Sequence, residues 1–113
     1  MLRKNNELER TDLTIADEII CENHVLKVYF ETWFDVESKF GITIPDDDAW
    51  LNMYVDFNVK TEEITVKCQI DRRNGSKWFV YQPSLNEEAL LKDMIRETLY
   101  QRYGVSPLEF CQN

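Results

Sequence analysis

Hydrophobic and polar residues alternate along residues 50–81, in three runs that are separated by two turn-like segments. Alternation with a period of two is typical of β-strands that bury one face. Residues 60–63 (KTEE) predict a hairpin between the first two runs. Asn74-Gly75 predicts the second hairpin, because this pair readily adopts the positive φ values of a type I′ turn. The pattern therefore predicts a three-stranded antiparallel unit.

The two turns also predict which residues face each other. Phe57 is expected opposite Val66 in the first hairpin, and Cys68 opposite Tyr81 in the second. Both hairpins then place one apolar set on one face, and a slip of one residue in either would destroy that agreement. This core face holds Leu51, Met53, Val55, Phe57, Val59, Ile64, Val66, Cys68, Ile70, Phe79 and Tyr81. The outer face is polar, with a predicted cross-strand pair of Asp56 and Lys67.

The segments before this unit predict a further strand. Residues 23–36 alternate and are rich in β-branched and aromatic side chains, which favours a strand. Residues 12–22 fit either a helix or an extended segment. The stripe of Leu13, Ala16 and Ile20 favours a short helix.

Residues 84–103 carry the clearest helix pattern. Ser84 is a favoured N-cap residue, and Glu87 three residues later completes a capping box. Gly104 is typical of the position that ends a helix. Together the elements predict an α+β fold, in which an antiparallel sheet of about four strands carries a C-terminal helix packed on one face. We expect residues 1–113 to form a single domain, with residues 1–12 flexible.

Aromatic residues are concentrated on the predicted outer face, where Trp50, Tyr54, Trp78 and Val80 lie close together. Tyr29 and Trp33 of the preceding strand can join them. An exposed aromatic patch on a monomer usually marks a binding surface for a protein partner. Two alternatives remain open: residues 12–22 cover this face, or a homodimer forms through it.

The net charge of −8 is distributed unevenly along the chain. Residues 13–63 contain twelve acidic residues and three lysines, a net charge of −9, whereas residues 64–113 carry a net charge of +1. Such a field argues against direct binding to nucleic acid or to an anionic membrane. It permits attraction to a protein partner with a basic surface.

The sequence offers little of the chemistry that catalysis requires. His24 is the only histidine, no cysteine spacing matches a zinc site, and the glycines all fall at predicted turns or ends. The aspartates Asp46, Asp47 and Asp48 fit a solvated acidic loop, because the residues after them lack the oxygen ligands of a calcium loop. We therefore expect no enzyme, no metal and no cofactor.

Cys21, Cys68 and Cys111 are three widely spaced cysteines. An odd, scattered set is typical of a reducing compartment, so we expect a cytoplasmic protein without disulfides. No apolar run approaches the roughly 20 residues that a membrane span requires. Residues 1–11 lack the apolar core of a signal peptide.

Three stretches resemble a known class of proteins: IPDDDAWLNMYVDFN, the NGSKWFVY hairpin arm and the capped terminal helix. They resemble small acidic proteins of phages and mobile elements of Gram-positive bacteria, among which are anti-CRISPR inhibitors of type II-A Cas9. The resemblance covers roughly residues 42–103. It implies a non-enzymatic inhibitor that binds a basic surface of Cas9 and interferes with the engagement of guide RNA or DNA.

This resemblance also implies which residues would bind the partner. Charge steering would come from Asp46, Asp47, Asp48, Glu62 and Glu63. Apolar anchors would come from Trp50, Tyr54 and Trp78. The alternative is a small structural or regulatory interaction protein, either a homodimer or a module that docks a host protein unrelated to CRISPR.

Overall fold

The computed structural model describes residues 7–34, 39–40, 50–72 and 75–112, with the side chains of Trp50 and Arg72 left out of the description. Five strands form one antiparallel sheet in the order β1-β2-β3-β4-β5. The strands are β1 (Leu13–Glu22), β2 (Val25–Thr32), β3 (Trp50–Asn58), β4 (Ile64–Arg72) and β5 (Gly75–Tyr81). Two helices follow, α1 (Leu85–Tyr103) and α2 (Pro107–Cys111). The α+β prediction is confirmed, with one strand more than the sequence suggested.

The additional strand is β1, which replaces the short helix predicted for residues 12–22. Its pairing with β2 shifts register between Ile15 and Ile19, so a bulge interrupts the alternation. Leu13, Ile15 and Ile19 are all buried in the core. Because of the bulge, the buried residues Leu13, Ile15 and Ile19 are spaced by two and then by four positions. A spacing of four is also typical of a helix, which is why the sequence pattern suggested one.

Both hairpins differ from the predicted register by two residues. Phe57 pairs with Ile64, and Cys68 pairs with Phe79. Gly75 already belongs to β5, where it pairs with Arg72. Because side chains alternate with a period of two, a two-residue shift keeps every side chain on its predicted face, and the core face is confirmed. The three residues at its margin, Ile64, Phe79 and Tyr81, are partly buried.

The connection between β3 and β4 explains the first of these shifts. The side chain of Asn58 accepts hydrogen bonds from the main-chain N–H groups of Lys60 (2.9 Å) and Thr61 (3.1 Å). Glu62 then takes a positive φ of 64°, and its N–H donates to the Asn58 carbonyl. This Asx-type turn lengthens the loop to residues 59–63. The partner of Phe57 in β4 is therefore Ile64, which is two positions nearer to the loop than the predicted Val66.

Helix α1 packs on the core face of the sheet and is capped as predicted. The Ser84 hydroxyl accepts a hydrogen bond from the Glu87 N–H, and the Glu87 carboxylate accepts one from the Ser84 N–H. At the other end Gly104 has a φ of 69°, in the left-handed region that glycine tolerates best. The buried apolar residues of α1 form one stripe, namely Leu91, Met94, Ile95 and Leu99. Burial of this stripe holds the two layers together.

A disulfide joins the end of β1 to the end of α2, which corrects the expectation of unpaired cysteines. Cys21 and Cys111 have Cα atoms 5.6 Å apart, although 90 positions separate them in the sequence. Spacing along the chain carries no information about this approach, which depends on α2 folding back toward β1. Cys68 is the unpaired cysteine, and it is buried in the core.

The N-terminal segment is attached to the helix and to Lys39. Leu8 is buried, and its N–H donates to the Glu87 carboxylate at 2.8 Å. Asp12 is also buried and lies 3.3 Å from the Lys39 ammonium. These contacts belong to residues 7–12 of the terminus predicted to be flexible, and residues 1–6 lie outside the described residues.

Candidate protein-binding face

The outer face of the sheet, the side turned away from α1, carries a row of three aromatic rings. Tyr29 of β2 lies directly opposite Tyr54 of β3, and their rings stack with centroids 5.0 Å apart. Trp78 of β5 reaches diagonally over β4 to Tyr54, with centroids 5.3 Å apart. This aromatic row, Tyr29–Tyr54–Trp78, therefore crosses four of the five strands.

Partly buried hydrogen bonds fix the inner end of the row. The Tyr29 hydroxyl donates to Asn52 Oδ1 at 2.6 Å, and Asn52 Nδ2 donates to Gln69 Oε1 at 3.1 Å. Asn52 is only 6 % exposed, so its hydrogen bonds are not replaced by water. The pKa of Tyr29 is raised above its usual 10.0, mainly because burial removes water from the hydroxyl and secondly because of the electrostatic effect of Tyr54. The hydrogen bond to Asn52 thus holds the Tyr29 ring in place.

The outer end of the row is open to solvent. Trp78 is 53 % exposed, its neighbour Val80 is 74 % exposed, and Tyr54 is 36 % exposed. These three side chains line a depression of about 500 Å³, and Lys27 and Lys67 lie at its polar side. Concave surfaces of mixed aromatic and polar lining are typical of binding sites.

A second depression adjoins the first on the side of β1. It has a volume of about 230 Å³, and its lining includes Tyr29, Tyr54, Glu18 and Ile20. Ile20 projects from the edge strand and is 45 % exposed. Apolar surface therefore continues from β5 to β1 across the sheet.

The charges on this face are mixed rather than uniformly acidic. The Lys27 ammonium lies 3.0 Å from the Asp56 carboxylate, so Asp56 pairs with β2 and not with Lys67 as predicted. In the register observed, Lys67 lies opposite Tyr54. It makes no ion pair with any other described residue. Lys67 therefore borders the aromatic row as a cation that has no ion-pair partner among the described residues.

The structure brings together only some of the predicted partner-binding residues. Tyr54 and Trp78 are in contact, as the sequence suggested. Glu62 instead pairs with Arg96 of α1 at 2.7 Å, on the helix side of the molecule, and Glu63 is exposed in the same loop. These two acids are therefore separated from the aromatic row.

Other predicted positions fall partly or wholly outside the described residues. Trp50 begins β3, where its backbone pairs with Asp71, but its side chain is not described. The aspartates 46–48 lie outside the described residues. Trp33 is exposed and donates from Nε1 to the Thr14 hydroxyl at 3.0 Å, so it lies beside β1 rather than in the row.

The alternative that residues 12–22 cover the outer face is wrong. These residues form an edge strand beside β2 and extend the sheet in its own plane. Sequence reasoning had already placed Lys27 on the side of Tyr29 and Lys67 on the outer face, because residues two apart in a strand share a face. It missed Ile20 as part of this surface, because Ile20 follows the bulge in β1.

Other kinds of site have little support in the described parts of the chain. In the ranges 7–34, 39–40, 50–72 and 75–112, no group of three or more His, Cys, Asp or Glu side chains could hold a metal ion. His24 is exposed in the β1–β2 turn, where Asn23 and His24 both have positive φ values. Neither described helix is long and apolar enough to cross a membrane.

Comparisons of the chain with protein-family models, with curated proteins and with solved structures found no match.

Proposed function

We propose that this protein is a non-enzymatic binding protein that docks a protein partner through the aromatic row and the two depressions beside it. The observation that supports this function is the continuous series of ring contacts from Tyr29 through Tyr54 to the half-exposed Trp78. Large exposed aromatic surfaces are costly in a solitary protein and are enriched in protein interfaces.

The row has the properties of an interface anchor. Its inner end is held by partly buried hydrogen bonds of Tyr29 and Asn52, so the Tyr29 side chain loses little entropy when a partner covers the row. Truncation of such an aromatic anchor typically costs about 2 kcal/mol, which corresponds to about a 30-fold weaker Kd.

The resemblance noted in the sequence makes type II-A Cas9 the first partner to test. Cas9 holds guide and target in positively charged channels. The chain has a net charge of −8, and Asp17, Glu18 and Glu22 are exposed along β1. We infer that this charge accelerates the approach to a basic surface, and that the aromatic row supplies the contact.

A cytoplasmic site of action accompanies this proposal, because Cas9 meets its guide RNA there. Disulfides are rare in cytosolic proteins. The binding assay should therefore be run with the Cys21–Cys111 pair both oxidised and reduced.

The experiment combines purified Cas9, with and without guide RNA, with the full chain on a size-exclusion column, and then measures cleavage of a target DNA. We expect a complex with guide-free Cas9 and loss of cleavage when the protein is added before the guide. The failure of Cas9 proteins from several Gram-positive hosts to bind would remove Cas9 as the partner.

A matched pair of variants tests the face itself. Trp78→Ala removes the exposed end of the row, whereas Tyr100→Ala removes a similarly exposed aromatic from α1 on the opposite side of the molecule. We expect about 30-fold weaker binding for Trp78→Ala and no change for Tyr100→Ala. Equal effects of the two variants would contradict docking through the outer face.

The second candidate function is a structural or regulatory interaction protein unrelated to CRISPR. The mixed charge of the outer face favours this alternative, because a mimic of nucleic acid would present acids beside the aromatic row. Salt dependence separates the two functions. Binding that weakens steeply with salt favours the Cas9 inhibitor, and salt-resistant binding to another protein favours the alternative.

A further inference from the structure

The two edges of the sheet are built differently. The β1 edge is interrupted by the bulge between Ile15 and Ile19. Arg102 of α1 also donates to main-chain carbonyls at this bulge: Nη2 reaches Ile15 O at 2.9 Å, and Nη1 reaches Ala16 O at 2.8 Å and Asp17 O at 3.2 Å. Bulges, charges and occupied carbonyls are the usual means by which proteins prevent edge-to-edge pairing.

Among the described residues, the β5 edge has fewer of these protections, since it carries a single charged residue, Lys77, and no bulge. β5 pairs with β4 from Gly75 to Tyr81 without a register shift. Within the described ranges, only β4 hydrogen-bonds to the main chain of residues 75–80. Its sequence, GSKWFVY, contains no proline and no acidic residue, and four of its seven residues are aromatic or β-branched. A straight, exposed edge of this composition is a template for a further strand.

We propose that β5 pairs antiparallel with β5 of a second copy of this chain, about a two-fold axis at Trp78, to form a continuous ten-stranded sheet. This inference stands independently of the proposed function. Two-fold symmetry is by far the commonest arrangement of soluble homo-oligomers.

The sequence of β5 is compatible with its own antiparallel copy. Pairing centred on Trp78 places the two Trp78 side chains side by side on the outer face, a favourable cross-strand contact. Lys77 then lies opposite Phe79 of the second copy, and Ser76 lies opposite Val80. The two lysines are not directly opposite each other, so the register avoids the closest like-charge contact.

Charge distribution also favours a second copy at this edge. β5 carries one lysine and no acid, whereas β1 carries Asp17, Glu18 and Glu22 and no basic residue. β1 and β5 are separated by four strand spacings of about 4.8 Å, so the two edges lie about 19 Å apart. Pairing through β5 thus keeps the acidic edges of two chains of net charge −8 at opposite ends of the dimer.

Pairing through β5 would also join the two aromatic rows. Each row ends at Trp78 on the edge strand, so the dimer presents Tyr29, Tyr54 and Trp78 from both copies along one surface. The outer depressions stay accessible, because the new contact lies in the plane of the sheet.

The first experiment is sedimentation equilibrium of the full chain over a wide concentration range, at low and high salt. We expect a dimer of twice the 13.5 kDa chain mass that persists at high salt, together with slow amide exchange in residues 75–80. A monomer at every concentration would overturn the proposal, whether or not the amides exchange slowly.

The second experiment tests the register with an engineered cysteine. In antiparallel pairs, Cα atoms of directly opposed residues lie about 4.5–5.5 Å apart, close enough for a disulfide. Trp78→Cys should therefore cross-link two copies on mild oxidation. Tyr54→Cys, on the same face but two strands away from the edge, should not. A dimer in which Tyr54→Cys cross-links and Trp78→Cys does not would show contact through the faces and refute pairing through β5.

A third variant separates this proposal from the proposed function. Tyr54→Ala removes the middle of the aromatic row, including its ring contact with Trp78, but leaves the main chain of β5 unchanged. It should weaken partner binding and leave the dimer mass unchanged. Loss of the dimer in Tyr54→Ala would contradict edge pairing, whereas loss of partner binding alone concerns only the face.

Discussion

Removal of the Cys21–Cys111 disulfide is expected to have a large effect on stability. The bond ties the end of β1 to the last residue of α2, across 90 positions of the chain. A cross-link that closes a loop of this length restricts the unfolded ensemble by roughly 4–5 kcal/mol at 25 °C in the chain-entropy model. Domains of this size unfold with about 5–15 kcal/mol, so the bond supplies a large fraction of the total.

The rest of the structure suggests where the loss begins. Helix α2 has five residues, which is too short to persist in isolation. Apart from the disulfide, α2 is held mainly by the Ser106 cap and by Phe110, whose ring lies 5.5 Å from that of Tyr103. After reduction we expect α2 to detach first and the sheet with α1 to remain folded at lower stability.

Urea unfolding followed by circular dichroism measures this effect. The oxidised protein, the reduced protein and Cys111→Ser are compared, and we expect the last two to unfold at the same, clearly lower urea concentration. The reductant should have no further effect on Cys111→Ser, which serves as the control. Thiol titration in denaturant should find one reactive thiol, Cys68, before reduction and three afterwards.

Either of two results would refute this reasoning. Three reactive thiols in the protein purified without reductant would mean that the disulfide does not form. Unfolding free energies of the oxidised and reduced forms within about 0.5 kcal/mol of each other would mean that the cross-link contributes nothing by restricting the unfolded chain.

Two further predictions concern pH and helix capping. Burial raises the pKa of the Cys68 thiol from 9.0 to about 12. Between these two pH values the thiol ionises in the unfolded chain but not in the folded protein. The thiol's contribution to stability is therefore complete below about pH 9 and falls as the pH rises toward 12. Urea midpoints at increasing alkaline pH should show this decline, and Cys68→Ala should lack this component of it. Ser84→Ala should lower the free energy of unfolding by about 1 kcal/mol, because the Glu87 N–H loses its acceptor. Ser76→Ala, which removes an exposed side-chain hydrogen bond to Asp71 and no helix cap, is the matched control, and equal effects in the monomer would exclude a capping contribution.

Local patterns in the sequence were sufficient for much of the fold. The alternation of residues 50–81 identified the core face of β3, β4 and β5, because side-chain direction in a strand depends only on parity. The Ser84–Glu87 box and Gly104 identified both ends of α1, because capping involves residues that are neighbours in the chain. Such features depend on short-range chemistry and need no knowledge of the rest of the molecule.

Tertiary structure decided the features that join distant segments. A two-residue change of register leaves parity unchanged, so no hydrophobic pattern could separate Phe57–Val66 pairing from the Phe57–Ile64 pairing that the loop imposes. The approach of Cys21 to Cys111 required α2 to fold back on β1. The stacking of Tyr29 on Tyr54 required β2 to pair with β3 across the intervening residues 33–49. Contacts of this kind are set by which faces and edges meet in space, and the periodicity of a single segment does not contain that information.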